Sequence, residues 1–351
     1  MELFNHLNPG QQFVLFSLLK IVGVVFLAVM PMVAYSVLAE RKISSYIQNR
    51  VGPNRVGPFG IWQPLADGLK LFLKEDFTPD HVRKIYFWIA PAIVIIPALL
   101  TVAVIPFGSQ LGSQKMVIAD LNVGILYTFG ITSLGVYGIV LAGYASNSKY
   151  PFLGGIRSSA QMISYEIAMG LSVVPVFLLV GNLNLSAVTA YQAGGLGDWL
   201  IFKQPLAFII FMIAAFAETN RLPFDLPESE TELVGGYHTE YSSMKFAFFF
   251  MGEYAAMIAA SAMMVTLFLG GWTLPVAGLN QAALAGELFK GALQIGIFLV
   301  KLLSLMGVFI WVRWMWPRFR YDQLMDLGWR RFIPLALANV VITAFILWLR
   351  A

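Results

Sequence analysis

Long apolar runs alternate with short charged segments along this chain of 351 residues. The runs are about 18 to 25 residues long, which is the length that an α-helix needs to cross a bilayer core. They do not alternate with a period of two, as the strands of a transmembrane barrel would. The predicted spans lie near residues 12–35, 85–106, 122–144, 160–181, 199–217, 246–270, 288–312 and 332–349.

The composition agrees with this pattern. Hydrophobic residues make up 58% of the chain and the mean hydropathy is +0.74, more apolar side chain than a soluble domain of this size can cover. Backbone polar groups in lipid must be satisfied internally, so helices and closed barrels are the two structures that span membranes. The sequence therefore predicts an all-α polytopic membrane protein with eight transmembrane helices, a single integral membrane domain over residues 1–351.

The positive residues predict the orientation. Seventeen Lys and Arg fall in alternate loops, with about four on the other side: Lys115, Lys203, Lys290 and Arg350. Positive residues collect on the cytoplasmic side of membrane proteins. The loops 36–84, 145–159, 218–245 and 313–331 should therefore be cytoplasmic, and both termini should face outward. No signal-peptide pattern precedes the first span, so we expect that span to be retained.

Residue types that hold redox centres are scarce. The chain has no cysteine, which excludes thiolate-held iron–sulfur clusters and disulfides within it. The three histidines, His6, His81 and His238, are too scattered for a paired haem site. The net charge of +4 reflects the cytoplasmic loops and does not point to nucleic acid. We therefore expect any electrons to come from partner subunits.

The first cytoplasmic loop contains an amphipathic pattern. After two Val-Gly-Pro turns, residues 62–74 predict a helix with apolar residues on one face and charged residues on the opposite face. The apolar face comprises Trp62, Leu65, Leu69, Phe72 and Leu73, and the charged face Asp67, Lys70 and Lys74. This pattern is typical of a short helix in the membrane interface. Such a helix either anchors the loop or forms the wall of an opening for a lipid-soluble molecule.

Four charged residues fall inside the predicted hydrocarbon region: Lys20, Glu166, Glu253 and Lys301. A charge exposed to lipid costs on the order of 2.5–3.5 kcal/mol or more, so each is expected to face protein or water. With Glu218 at the cytoplasmic end of span five, the glutamates predict a proton relay that Lys301 could partner. Static ion pairs between helices are the alternative, and Lys20 could extend outward to the interface.

Residues 217–240 form an acidic loop, with five glutamates, one aspartate and one arginine between apolar segments. Pro223 and Pro227 favour a folded segment over a solvated linker. The carboxylates of Glu228, Glu230 and Glu232 could hold a metal, but no histidine stands at a usable spacing. We therefore predict no metal site.

Three long strings carry a family resemblance. They are residues 40–70, with the core Asn-Arg-Val-Gly-Pro-Asn-Arg-Val-Gly-Pro at 49–58, the segment 143–166, and the acidic loop continuing to residue 254. Together they closely resemble the quinone-side membrane subunit, known as the H subunit, of respiratory NADH:quinone oxidoreductase, complex I. The resemblance covers nearly the whole chain.

The resemblance implies a function for two groups of residues. Members of that family contain no prosthetic group and form the wall and entrance of a quinone chamber, with ubiquinone as one possible substrate. It implies a quinone tunnel formed by Glu40, Arg41, Trp62, Asp67 and Arg221. It also implies an acidic proton path, completed here by the buried lysine: Glu166, Glu218, Glu228, Glu230, Glu232, Glu253 and Lys301.

The resemblance also implies the surroundings of the chain. FMN and the iron–sulfur clusters would lie in partner subunits, which include peripheral quinone-chamber subunits, small membrane subunits and antiporter-like membrane subunits. The location would be a bacterial inner membrane. Two alternatives stay open: the homologous membrane subunit of an energy-converting hydrogenase, and a stand-alone ion or solute transporter. A transporter often has inverted halves with paired broken helices, which this sequence does not show.

Overall fold

The protein is helical along almost all of its described length. The computed structural model describes residues 9–111, 114–226, 230–275 and 287–350. One short antiparallel hairpin pairs β1 (Gln110–Leu111) with β2 (Gln114–Lys115), with Gln110 opposite Lys115. The predicted all-α membrane class is therefore confirmed.

The first half of the chain contains six α-helices. They are α1 (Pro9–Ile21), α2 (Met30–Ile47), α3 (Gln63–Leu73), α4 (Lys84–Thr101), α5 (Gly124–Ala145) and α6 (Lys149–Val180). A π-helical stretch, Val22–Val29, joins α1 to α2 without a break. Short 3₁₀ turns lie at Pro58–Gly60 and Val102–Val104.

The second half of the described chain contains eight further helices. They are α7 (Leu185–Tyr191), α8 (Leu200–Lys203), α9 (Pro205–Glu218), α10 (Glu230–Leu233), α11 (Ser243–Phe268), α12 (Glu287–Met315), α13 (Tyr321–Asp326) and α14 (Ile333–Arg350). A π-helical stretch, Leu327–Phe332, joins α13 to α14. The 3₁₀ turns are Leu196–Asp198 and Gly236–His238.

Seven helical segments of the described chain are long and apolar enough to cross a membrane. They are Val14–Ile47, Lys84–Val104, Gly124–Ala145, Lys149–Val180, Ser243–Phe268, Phe289–Met315 and Tyr321–Arg350. The apolar helix α9 has 14 residues and is shorter than these. It begins at Pro205, whose missing N–H separates it from the short helix α8.

Several helices extend beyond the predicted spans. The first continues to Ile47, through residues expected to be loop, and α6 begins at Lys149 and not near residue 160. Charged residues do not stop a helix, which ends where the backbone is forced out of helical geometry. Here Asn49 has a φ of 53°, and the turn-rich Gly52–Pro53 pair follows. Helix ends therefore do not mark the membrane boundary in this chain.

Helix α4 packs closely against α5 and α11. A Cβ built on Gly138 would lie 2.6 Å from Val94 Cγ2 and 3.0 Å from the Val94 backbone nitrogen. A Cβ on Gly252 would lie 2.8 Å from Val94 Cγ1. Small residues of this kind let helix backbones approach closely in membranes. Gly130, also on α5, meets nothing within 4 Å, so the glycines of this helix differ in role.

We expect Gly138→Ala to destabilise the protein. The added methyl group meets α4 backbone atoms as well as Val94, and overpacking of this kind costs about 1–3 kcal/mol. The measurement is the apparent Tm of the protein purified in mild detergent from its native host. The matched control is Gly130→Ala, which makes the same chemical change on the same helix in open space and should leave Tm unchanged. Equal Tm values for the two variants would contradict the close contact.

Candidate functional site

A buried group of ionisable residues, here the charged cluster, joins four separate parts of the chain. It consists of Glu40 on α2, Arg221 after α9, Glu253 and Tyr254 on α11, and Arg313 on α12. Arg221 Nη1 donates to Glu40 Oε2 at 2.9 Å, and Arg221 Nε lies 2.6 Å from Glu253 Oε1. Tyr254 Oη donates to Glu40 Oε2 at 2.7 Å, and Arg313 Nη1 donates to Glu40 Oε1.

The charges within the cluster balance. Two guanidinium groups face two carboxylates, and the Arg221 guanidinium also lies 4.2 Å from the centre of the Tyr254 ring. Only 4% of Arg221 and 6% of Glu40 is exposed. Burial alone would lower the pKa of Arg221, but the neighbouring carboxylates, with Glu253 the strongest, raise it above its usual value. Arg221 therefore remains a fixed positive charge.

The loop that carries Arg221 is held by one buried amide. Gln161 Nε2, from the middle of α6, donates to Ala217 O and Phe224 O, each at 2.8 Å, and to Asn220 Oδ1 at 3.3 Å. On the other side, Phe319 N donates to Pro223 O at 3.1 Å. These bonds add to the backbone hydrogen bonds that Asn220 N and Leu226 N donate to Ala217 O and Phe224 O. The position of Arg221 is thus set by hydrogen bonds from two neighbouring segments.

A cavity of about 90 Å³, partly open to the surface of this chain, lies beside the charged cluster. Glu253 belongs to both, and Glu218 lines the cavity from the end of α9. The other polar lining includes Thr101, Thr128, Thr132 and Asn220, among apolar side chains of α4, α5 and α11. The cavity has the volume of a few water molecules and the polar partners that water needs.

Glu166 lies on α6, near the cavity. It is half-buried, and its carboxylate is close enough to act electrostatically on Glu218. The structure therefore brings Glu166, Glu218 and Glu253 to one side of α6, α9 and α11.

The amphipathic segment of the first loop contains α3, with most of its apolar side chains exposed. Leu65, Leu69, Phe72 and Leu73 are each more than half exposed. On the opposite side, Asp67 accepts from Arg41 Nη1 at 2.8 Å and from Gln63 Nε2 at 3.0 Å. This ion pair joins α3 to the end of α2, one residue from Glu40. Trp62 precedes the helix, and its ring contacts the backbone of Gly57.

The acidic loop divides into parts with different partners. Asp225 forms an ion pair with Arg318 at 3.2 Å, and Glu232 forms one with Arg157 at 2.7 Å on the exposed surface. Glu228 and the side chain of Glu230 lie outside the described residues. Within the described part of the chain, no group of three or more His, Cys, Asp or Glu could hold a metal ion.

Lys301 lies away from the carboxylates. Its Nζ donates to the carbonyl groups of Leu269 at 2.7 Å, Gly271 at 2.9 Å and Thr273 at 2.7 Å, beyond the end of α11. It also lies 4.3 Å from the centre of the Trp199 ring. A helix leaves its last carbonyl groups unpaired, which makes this end a site for a cation. The ammonium group thus contacts carbonyls where the sequence led us to expect carboxylates.

Three residues of the site were missed by sequence reasoning. Arg313 was counted as a loop residue, although it lies in the last turn of α12. Tyr254 and Gln161 are uncharged and lie within apolar runs, so their composition gave no signal. A polar residue within a predicted span, as Gln161 is, was the one available indication that a buried acceptor lies opposite it.

Comparison with known proteins identifies the family to which this chain belongs. A family profile described as NADH dehydrogenase matches residues 19–344. The chain is 47% identical to the second NADH-quinone oxidoreductase H subunit of Koribacter versatilis, over 96% of this chain and 98% of that protein. It is 49% identical to the first H subunit of the Geobacter sulfurreducens enzyme, over 95% and 96%, respectively. It is 51% identical to subunit 8 of the Rhodothermus marinus enzyme, over 88% and 90%.

The family match and these identities extend over most of the chain, and the matched range 19–344 contains every residue of the charged cluster. The chain belongs to the NADH dehydrogenase family of membrane subunits.

Proposed function

We propose that this chain is the quinone-side membrane subunit of a proton-translocating NADH:quinone oxidoreductase. The names of its relatives support this activity. The observation that carries the proposal is the charged cluster, which joins the loop after α9 to a cavity lined by Glu218 and Glu253. The chain itself holds no redox centre. FMN and iron–sulfur clusters belong to partner subunits, which include peripheral, small membrane and antiporter-like membrane subunits.

Quinone enters along the cytoplasmic side of the first helix. The exposed apolar face of α3 suits the tail of a quinone that leaves the bilayer. Arg41, Asp67 and Trp62 lie where the polar headgroup passes, and Glu40 and Arg221 follow directly behind them. Charged and aromatic groups beside an apolar ramp fit a ligand with a polar head and an apolar tail.

Protons move along the carboxylates that lie beyond the cluster. The path runs through Glu253, Glu218 and Glu166, with water in the cavity between them. Glu228, Glu230 and Glu232 continue it in the acidic loop. Because Lys301 is bound by carbonyl groups at the far end of α11, it does not belong to this path.

Charge couples the two regions. Reduction of a quinone takes up two electrons and two protons, so its chamber gains negative charge until protons arrive. An arginine does not lose its proton in proteins, so Arg221 keeps its charge throughout. The carboxylates paired with Arg221 must therefore change their position or their protonation when the charge of the chamber changes. Glu253 transmits this change to Glu218. This is the first step by which quinone chemistry drives proton movement.

The chain crosses the membrane eight times. The seven long spans are completed by α8 and α9, which together cover 19 residues, Leu200–Glu218, and about 28 Å at the helical rise. That length approaches the roughly 30 Å of a bilayer core. The positive loops face the cytoplasm and both termini face the periplasm of a bacterial inner membrane.

The first prediction concerns the partners. Purification of the tagged chain from its native host in mild detergent should recover flavin-containing and iron–sulfur subunits with NADH:quinone activity. Mass spectrometry of the purified sample identifies the subunits. A nickel–iron hydrogenase partner would keep the fold and remove the quinone. A lone, monodisperse chain with transport activity would replace the proposal with a transporter.

The second prediction concerns the proton path. We expect Glu218→Gln and Glu253→Gln each to lower coupled NADH:quinone turnover by about 100-fold, because an amide does not exchange protons. Turnover and proton translocation per electron are measured in vesicles containing the purified complex. The matched control is Asp322→Asn, the same change at an exposed ion pair with Arg320, and should leave both unchanged. Full translocation per electron in both glutamate variants would exclude the relay.

The third prediction separates Lys301 from the path. Lys301→Met leaves three carbonyl groups without their donor, and an unsatisfied buried group costs about 1–3 kcal/mol. We expect a lower apparent Tm of the complex, with proton translocation per electron as in the unaltered protein. Lost translocation in a stably assembled Lys301→Met complex would return Lys301 to the path.

A further inference from the structure

An apolar groove, here the outer groove, opens beside the first helix on the side away from the charged cluster. Its volume is about 640 Å³. One wall is the first helix between Phe16 and Met32, and the other is α12 between Ile295 and Leu302. Residues of the segments 102–107 and 114–116 close the end of the groove near Phe16, and α11 forms the floor.

The groove is deep enough for one lipid chain. From Phe16 to Met32 the first helix rises about 24 Å, more than the roughly 15 Å of one leaflet of the hydrocarbon core. The end near Phe16 reaches Lys115, in the segment that connects the second and third spans on the poorly charged side of the molecule. The groove thus runs from the outer interface toward the middle of the bilayer.

One cation lies in the wall of the groove without a partner. Lys20 faces the groove from the first helix. Among the residues whose side chains the structure describes, none forms a hydrogen bond or ion pair with its ammonium group. Lys115, at the rim, is neutralised by Asp120, which also accepts from Asn184 Nδ2 at 2.8 Å and from Ser186 Oγ at 3.1 Å. Among the side chains that the structure describes, Lys20 is therefore the charge of the groove that no carboxylate balances.

The groove also has space beside Lys20. A Cβ built on Gly23, three residues further along the same helix, meets no atom within 4 Å. The apolar walls around it include Phe16, Phe107 and Phe298. The groove is thus an apolar channel about as long as one acyl chain. Near its open end lies Lys20, which has no partner among the described side chains.

We propose that the outer groove binds an anionic phospholipid, with one acyl chain between the first helix and α12 and the phosphate paired with Lys20. The acyl chain of the lipid contacts the apolar walls of the groove. The phosphate supplies the negative charge that the Lys20 ammonium group requires at this depth in the membrane. A zwitterionic lipid fits the channel equally well but brings its own cation to the rim, so it should bind more weakly. The site is independent of the quinone path.

The test uses the purified complex in phosphatidylcholine vesicles that contain phosphatidylglycerol with a photoreactive diazirine in its acyl chain. After illumination and proteolysis, mass spectrometry locates the labelled residues. We expect label on residues 16–32 and 295–302, about fivefold more than with phosphatidylcholine carrying the same diazirine. Label on the exposed face of α14, which contains Val341 and Trp348, should be equal for the two lipids and serves as the internal reference.

Two pairs of variants separate charge from shape. Lys20→Met should reduce phosphatidylglycerol labelling of the groove to the phosphatidylcholine level, and Lys290→Met, at an outer lysine that does not line the groove, should not. Gly23→Leu fills the channel and should reduce labelling by both lipids. Gly296→Leu, in equally open space on α12 but not in the lining, is its control.

Three results would overturn the proposal. Equal groove labelling by the two lipids would remove the role of the phosphate. Unchanged labelling in assembled Lys20→Met and Gly23→Leu complexes would remove the site. A neighbouring subunit that cross-links to a benzophenone on Gly23→Cys, in place of lipid, would show that a protein helix fills the groove.

Discussion

The pairing of one buried arginine with two carboxylates organises the part of this protein where α2, α11 and α12 meet the loop after α9. Arg221 stands between Glu40 of α2 and Glu253 of α11, and a second arginine from α12 completes the balance. A buried ion pair that loses one partner is destabilised by about 3–5 kcal/mol. The positions of three helices and one loop are therefore tied to the geometry of a single guanidinium group. The buried amide of Gln161 holds that group from behind.

The same arrangement restricts where a change of charge can go. The neighbouring carboxylates raise the pKa of Arg221, so its guanidinium keeps its proton. Any charge added or removed near the cluster must therefore be balanced by a carboxylate that gains or loses a proton, or by movement of one residue of the cluster. Glu253 contacts Arg221 and also lines the cavity that Glu218 lines. It is therefore the residue that the charged cluster and the cavity share.

The helical membrane fold was predictable because spans depend on length and hydrophobicity, which the sequence records directly. The helix ends were not, because Glu40 and Arg157 lie on helices that continue past the membrane and stop at turns. Glu40 and Arg221 were named from the resemblance, but Arg313 lies 273 positions from Glu40 and no local pattern joins them. Lys301 illustrates the same limit: its partners are carbonyl groups, which every residue carries, so packing alone determines which ones it meets.

The charged cluster also determines the order in which the protein can be completed during synthesis. Glu40 and Arg221 are 181 positions apart, which corresponds to on the order of 10 to 40 s of translation. Throughout that time Glu40 is in a nascent chain without the Arg221 counter-ion, so its carboxylate must stay where water reaches it. Arg313 arrives later still, with the sixth of the seven long apolar helices. Closure of the cluster is therefore a late event in biogenesis, and an unfinished chain keeps an unpaired carboxylate that distinguishes it from the mature protein.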